Sequence, residues 1–204
     1  MSLFPAFLKL RGRWCVVVGG GKVAEGKIAS LLDAEAQIVV VAPEATDAIA
    51  QWAREGRIQW HAKLFEQDDL TGAFLAVAAT SAPGVNHEVF LAAEVHGILC
   101  NAVDDPDRCN FYYPAVVRRG ALQIAISTAG LSPALSQRLR RELEEQFGPE
   151  YELWIEWLGA MRSALRAGGS SASTRLLLHA LASREMFEEF VHSWRAKTSV
   201  EKTA

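Results

Sequence analysis

Three stretches of this chain carry residue types whose order and spacing point to chemistry. The first is Gly19-Gly20-Gly21-Lys22-Val23-Ala24, a G-x-G-x-x-A pattern. It directly follows the β-branched run Cys15-Val-Val-Val18 and opens an amphipathic stretch. In that setting each small residue has a task. Gly19 permits a tight turn, Gly21 lets the backbone approach a pyrophosphate, and Ala24 lets helix and strand pack closely. Free N–H groups and the helix dipole then favour a bound anion. The bland alternative is a glycine turn that only joins strand to helix.

The second stretch is Asn101-Ala-Val-Asp104-Asp105-Pro-Asp-Arg-Cys109-Asn110-Phe111. Asp104 falls just past a strand's carboxyl end, the side on which open α/β sheets bind ligands. Against a chemical role stands the turn-forming character of Asp-Asp-Pro-Asp. Asp105 either shares a proton with its neighbour or is simply solvated. The third stretch is Ser127-Thr128-Ala129-Gly130-Leu131-Ser132-Pro133. Hydroxyls, a glycine and the free N–H groups of a following helix make an anion site. An ordinary N-cap needs only Ser132.

These stretches need elements to hold them. Ile38-Val-Val-Val41, Ile58-Gln-Trp60, Phe74 to Ala79 and Ile98-Leu-Cys100 read as further strands. Between them, residues 22–35 and 45–54 carry helical spacing, and Asn86 is placed to cap a helix that runs to His96 and ends at Gly97. Strands apolar on both faces, alternating with helices, predict a Rossmann-like parallel sheet covered on both sides. The second strand ends in Val41-Ala42-Pro43-Glu44, where an adenosine ribose would lie. Glu44 either reaches a ribose hydroxyl or starts the next helix. No Arg stands there to grip a 2′-phosphate, which leans toward NAD, while Lys22 could meet a phosphate.

After about residue 110 the pattern changes. Tyr113 to Val117 and Ala121 to Ile126 read as two strands around Arg118-Arg119-Gly120. Ser132-Pro133 then opens a helix with Leu135, Leu139, Leu143 and Phe147 at fourfold spacing. Residues 151–166 and most of 176–194 read as helices, joined by a flexible Gly168–Ser173 connection, with 200–204 as a frayed end. Trp154, Trp157, Phe187, Phe190 and Trp194 at helical spacing read as core rather than a stacking surface. Arg118, Arg119, Arg138, Arg140 and Arg141 would attract a polyanion, but Glu142, Glu144 and Glu145 beside them favour an i,i+4 ion-pair surface.

Composition narrows the classes. The 204 residues are 50% hydrophobic and 22% charged, with a formal charge of −3, which argues against disorder and against nucleic-acid binding. Cys15, Cys100 and Cys109 are odd in number and show no CxxC, so reduced thiols in a cytoplasmic protein are expected. Charges at Lys9, Arg11 and Arg13 follow the first apolar residues rather than precede them, so neither a signal peptide nor a membrane span is expected. The five histidines show no metal-ligand spacing. His87 is a candidate for the cleft, and Cys109 reads as structural.

The order and register of the motifs name a family. A leading Pro5-x-Phe7-x-x-Leu10, Val18-Gly-Gly-Gly21-x-Val23-Ala24-x-x-Lys27, Ala79-Thr80, Asn101-x-Val-Asp104, Asn110-Phe111-x-x-Pro114-Ala115 and Ser127-Thr128-x-Gly130-x-Ser132-Pro133 run continuously over about residues 5 to 145. With these the chain resembles the precorrin-2 dehydrogenase / sirohydrochlorin ferrochelatase family. The resemblance implies NAD-dependent oxidation of precorrin-2, an octacarboxylate tetrapyrrole, to sirohydrochlorin, and in bifunctional members insertion of Fe²⁺. It implies a homodimer built through the middle segment, followed by helices. The expected partition is a Rossmann domain over 1–112, a dimerisation segment over 113–148 and a helical domain over 149–204.

By resemblance Asp104 is the family's catalytic aspartate, acting as general base. The implied cofactor set is Gly19, Gly21, Lys22, Val23, Ala24, Pro43, Glu44 and Thr80. Ser127, Thr128, Gly130 and Ser132 would meet the carboxylates of the tetrapyrrole. Thr128 stands where some members carry a serine subject to phosphorylation. No resident metal is implied. Two rival readings remain: a chelatase alone, which the intact glycine turn disfavours, and a dinucleotide-sensing module that has no need of Asp104.

Overall fold

Apolar residues on both faces of a short run can be satisfied only by a sheet covered on two sides. The five β-branched and small-residue runs accordingly become parallel strands β1 (Trp14–Val18), β2 (Gln37–Val41), β3 (Gln59–His61), β4 (Leu75–Ala78) and β5 (Leu99–Ala102). Their order is β3-β2-β1-β4-β5. β1 is central, with Val18 opposite Val41 on one side and Ala78 on the other. The computed structural model describes residues 3–167 and 172–201. It divides into two compact units, one ending at Tyr113 and the other starting at Pro114.

In the first unit, alternate residues of each strand feed two cores. Cys15, Val17, Ile38 and Val40 pack with Ala24, Ile28 and Leu31 of α1 (Lys22–Asp33) and Ile49 of α2 (Asp47–Arg54). Val16, Val18, Val39 and Val41 pack with Val89, Ala92 and Ala93 of α3 (Pro83–His96). Ile28 is fully buried. Truncating such a residue to alanine costs about 2–5 kcal/mol.

The Rossmann-like reading therefore holds, with local corrections. β3 lies one residue later than expected. α1 ends at Asp33, and Glu35 turns the chain with φ +57°. α2 starts at Asp47, capped by the Thr46 hydroxyl, so Glu44 does not belong to it. Asn86 is not a cap: α3 starts at Pro83, whose fixed φ and missing N–H suit a first helical position, and Asn86 lies inside the helix.

In the second unit, β6 (Ala115–Arg119) and β7 (Leu122–Ile126) pair antiparallel, as the sequence suggested. The two-residue turn between them places Gly120 at φ +55°, a left-handed value glycine adopts freely. α4 (Pro133–Gln146) follows, and the Arg119 guanidinium donates to Phe147 O at 2.7 Å and Glu144 O at 2.9 Å, closing its C-terminus. Arg138 pairs with Glu142 at 3.3 Å and Arg140 pairs with Glu144, the ion-pair surface the spacing implied.

α5 (Glu150–Ala167) is followed by two helices, α6 (Ala172–Leu181) and α7 (Arg184–Glu201), where the sequence suggested one. The expected flexible connection falls largely on residues 168–171, outside the described residues, as do residues 202–204 of the expected frayed end. The aromatics are core: Trp154 is buried, stacks on Trp157 at 5.0 Å and meets Phe187 and Phe190.

Candidate active site

A strand of the central sheet ends, a glycine bend follows, and a helix starts; the physics of that junction defines the site. Gly19 has φ +126°, and its N–H donates to Val41 O at 3.0 Å. A Cβ on Gly19 would sit 2.4 Å from Ala79 O. A Cβ on Gly20 would sit 2.0 Å from Glu44 O, closer still. The motif leaves position 20 free, so the pattern carries no signal for Gly20. Here the β2–α2 loop crosses it, and Thr46 N–H donates to Gly20 O at 2.9 Å. Gly21 is the N-cap of α1 and offers no side-chain cap. A Cβ there would stand in open space.

That open space belongs to a cavity of about 850 Å³. Gly19, Gly20, Gly21, Lys22 and Val23 form one wall; Pro43 and Glu44 close the β2 side; Thr80 and Val85 close the β4 side; Val103 and Asp104 close the β5 end. Seven of the eight residues assigned to the cofactor thus line one cavity together with Asp104. The eighth, Ala24, is fully buried in the core, which is the packing role its small side chain suits. Leu64, Phe65 and Glu88 also line it and carried no sequence signal beyond ordinary loop or helix residues.

A nicotinamide dinucleotide fits this cradle. A helix N-terminus leaves its first N–H groups without helical acceptors, and here no side chain satisfies them. The volume and the mixture of apolar wall with few polar groups are those of a cofactor pocket.

Side chains outside the wall fix it. The Asn86 amide is buried, accepts from Thr80 N–H at 3.1 Å and donates to Thr80 O at 3.1 Å, so it holds the β4 loop rather than capping α3. Glu25 accepts from Lys22 Nζ at 2.9 Å and from the Thr46 hydroxyl at 2.7 Å. The Lys22 ammonium and then the Thr46 hydroxyl hold the Glu25 carboxyl below its ordinary pKa. This ties the first turn of α1 to the cap of α2.

Asp104 sits at φ +60°, a left-handed conformation that Asp and Asn tolerate better than other residues with side chains. The loop behind it is pinned from β5: Asn101 Nδ2 donates to Phe111 O at 3.0 Å, and Cys100 N–H donates to Asn110 Oδ1 at 2.6 Å. Asp105 neither lines the cavity nor stands free, because Arg108 pairs with it. Arg108 Nε also donates to His87 Nδ1 at 2.7 Å, which occupies the histidine considered for the cleft. The Cys109 thiol lies 3.1 Å from Ala102 O, and burial pushes its pKa up.

Lys27, part of the motif but given no role from it, is half-buried with Nζ 3.7 Å from the Tyr113 ring centroid. Burial lowers its pKa, with the charges of Asp104 and then Cys109 acting against that shift. Among the described residues no cluster of three or more His, Cys, Asp and Glu could hold a metal ion.

Ser127, Thr128, Gly130 and Ser132 lie in the second unit and form one local turn before α4. Ala129 N–H donates to Ser127 Oγ at 3.1 Å, Ser132 N–H donates to Thr128 Oγ1 at 3.2 Å, and Ser132 Oγ caps α4 by accepting from Leu135 N–H at 3.3 Å. Ala129 and Gly130 both have positive φ, +52° and +81°.

Comparisons with known proteins converge on one family. Residues 6–115 match the family model described as "Putative NAD(P)-binding", and residues 119–146 match "Sirohaem biosynthesis protein central". The siroheme synthase of Methylococcus capsulatus is 44% identical over 144 residues, covering 71% of this chain and 30% of its own length. Siroheme synthase 1 of Aeromonas salmonicida is 39% identical over 189 residues, covering 93% of this chain and 38% of its own. The chain thus spans about a third of the length of these curated relatives. Among solved structures, SirC, a precorrin-2 dehydrogenase, superposes with a TM-score of 0.77 at 30% identity, covering 94% of this chain and 98% of that one.

Proposed function

The chain belongs to the precorrin-2 dehydrogenase family, and from that premise we propose that it oxidises precorrin-2 to sirohydrochlorin with NAD⁺ in siroheme biosynthesis. One observation carries the reading: a single cavity gathers the glycine bend, the end of β2, Thr80 and Asp104. Gly19 and Gly20 keep the bend tight, and the uncapped first turn of α1 presents N–H groups to a pyrophosphate. Pro43 and Glu44, which line the cavity past the end of β2, would hold the ribose. Bound there, an oxidised nicotinamide supplies the two-electron acceptor. Two hydrogens leave the substrate: one departs with the electron pair, and the Asp104 carboxylate takes the other as a proton.

Dimerisation and iron insertion are the finer parts of the proposal. Leu131, beyond the β6–β7 ribbon, is 89% exposed, and this supports a homodimer. Residues 113–148 are then the dimerisation segment, between a cofactor domain over 1–112 and a helical domain over 149–204. A polycarboxylate substrate would use the turn of Ser127, Thr128, Gly130 and Ser132. Fe²⁺ enters as a second substrate. Among the described residues no helix is long and apolar enough to cross a membrane, and a cytoplasmic location belongs to the same reading.

The test is anaerobic. Protein, precorrin-2 and NAD⁺ are mixed and NADH absorbance is followed, after which Fe²⁺ is added and the metallated chromophore sought. Asp104→Asn, which the left-handed backbone tolerates, is expected to lower turnover by about 10²–10⁴-fold while NAD⁺ still binds. No NADH from the unaltered protein overturns the dehydrogenase; full turnover in Asp104→Asn removes the aspartate from the chemistry. No metallated product restricts the protein to dehydrogenation.

A further inference from the structure

The family model matched by residues 6–115 covers NAD and NADP alike, and these differ by one phosphate on the adenosine ribose. In Rossmann sites an acid at the second strand's end takes the ribose hydroxyls, whereas a cation there accommodates the 2′-phosphate. Among the residues lining the cavity, Lys22 is the single cation, while Glu44, Glu88 and Asp104 are acidic. On sequence alone Lys22 could serve a 2′-phosphate, so the question turns on where its ammonium is.

The geometry ties it to the loop after β2 and shows it already engaged. Lys22 Nζ contacts both Glu25 oxygens at 2.9 Å. Glu25 in turn holds the Thr46 hydroxyl at 2.7 Å, and Thr46 follows Glu44 by two residues. Its N–H also donates to Gly20 O at 2.9 Å, beside the point where Gly20 meets the Glu44 carbonyl. The Lys22 side chain is 81% exposed and that of Glu25 21%, so the carboxylate is the anchored partner and the ammonium the arm it restrains. A phosphate reaching for Lys22 meets the charge of Glu25, 2.9 Å from the ammonium, in a cavity that Glu44 also lines.

We infer that Glu25 is a specificity-determining residue: by neutralising Lys22, it restricts the site to a dinucleotide with a free 2′-hydroxyl. The inference rests on the proposed dinucleotide site. It does not require precorrin-2 and can be tested by binding alone.

Isothermal titration of the full chain with NAD⁺ and NADP⁺ gives the preference as a ratio of Kd values. The unaltered protein is expected to favour NAD⁺. Glu25→Gln keeps a carbonyl oxygen for Thr46 but removes the charge, and should shift the ratio toward NADP⁺ by about tenfold, the effect of one partly screened unit charge at contact range. Adding Lys22→Met to that variant should cancel the shift. Lys22→Met alone leaves the Glu25 carboxylate unpaired and should shift the ratio further toward NAD⁺.

The inference is overturned if Glu25→Gln binds NAD⁺ with the ratio unchanged, or if the double variant keeps the shift. It is also overturned if Lys22→Met alone shifts the ratio toward NADP⁺. Should Glu25→Gln fail to fold, Glu25→Ala removes the same charge and its ratio decides. Binding of neither dinucleotide by the unaltered protein defeats the cofactor site itself, a result separable from a wrong preference.

Discussion

Two turns in this molecule look alike in sequence and behave differently. Gly19–Ala24 leads from β1 into α1, and Ser127–Pro133 leads from β7 into α4. Both are short, rich in small residues and placed at a helix N-terminus, the setting in which an anion binds. At the first, the N-cap is Gly21, no side chain caps the helix and a cavity opens in front. At the second, the protein satisfies its own donors: Ser132 caps Leu135 N–H, Thr128 takes Ser132 N–H, and Pro133 at the first position has no N–H to offer. A helix N-terminus is available to a ligand to the extent that the sequence withholds its own caps. The hydroxyls of the second turn would have to leave these partners to meet a substrate.

The largest effect separating the two turns is expected from their glycines. Gly20→Ala forces a Cβ to within 2.0 Å of a backbone carbonyl and 2.9 Å of Ala45 Cα. Overpacking of this kind costs about 1–3 kcal/mol or more, and the backbone that must shift is the wall of the cavity. Thermal unfolding should register the loss of stability, and NAD⁺ titration should show binding weakened by about 100-fold or more. Gly130→Ala has nothing within 4 Å, only its φ of +81°. The left-handed strain of about 1–2 kcal/mol should lower stability and leave NAD⁺ affinity unchanged. Equal losses of NAD⁺ binding in both variants would erase the distinction drawn between the turns.

Much of the first turn was legible in the sequence because strand, glycine bend and amphipathic helix occur there in contiguous order. The strand runs and the alternation that buries both sheet faces were equally local. What escaped is what depends on distant segments meeting. Gly20 matters because Glu44, twenty-four positions later, passes over it. Asn86 reads as a cap by type, but Pro83 starts the helix earlier, and the amide serves Thr80 instead. Arg108 engages His87, twenty-one positions earlier, and that pairing leaves no periodic trace. The break between α6 and α7 at Ala182-Ser183 falls inside a continuous apolar pattern, which spacing alone does not divide.

A smaller effect tests the second turn directly. Ser132→Ala removes the cap of α4 and should cost about 1 kcal/mol of stability, read from chemical or thermal unfolding. It exposes Leu135 N–H without adding bulk, so it brings the second turn closer to the uncapped state of the first. The comparison predicts that added inorganic phosphate then stabilises Ser132→Ala more than it stabilises the unaltered protein. A loss well below the expected cost, with no gain from phosphate, would mean that the Ser132 hydroxyl is not what occupies those donors.

The smallest effect concerns acid. The first turn is held to the β2–α2 loop by an ionised group, Glu25, while the second is held by neutral hydroxyls alone. Lys22 and then Thr46 depress the Glu25 pKa in the folded protein. A depressed carboxyl pKa stabilises above its unfolded value of about 4.3, and that contribution is lost as pH falls through the folded value. The stability difference between the unaltered protein and Glu25→Gln should therefore be constant near neutrality and shrink as pH drops below about 4. The difference for Ser132→Ala should stay flat over the same range, since neither Ser132 nor Leu135 N–H titrates there. The first effect is small because the Lys22 end of the pair is 81% exposed, and exposed ion pairs contribute little. A Glu25→Gln difference that grows in acid would mean that the carboxylate strains the folded turn rather than latching it.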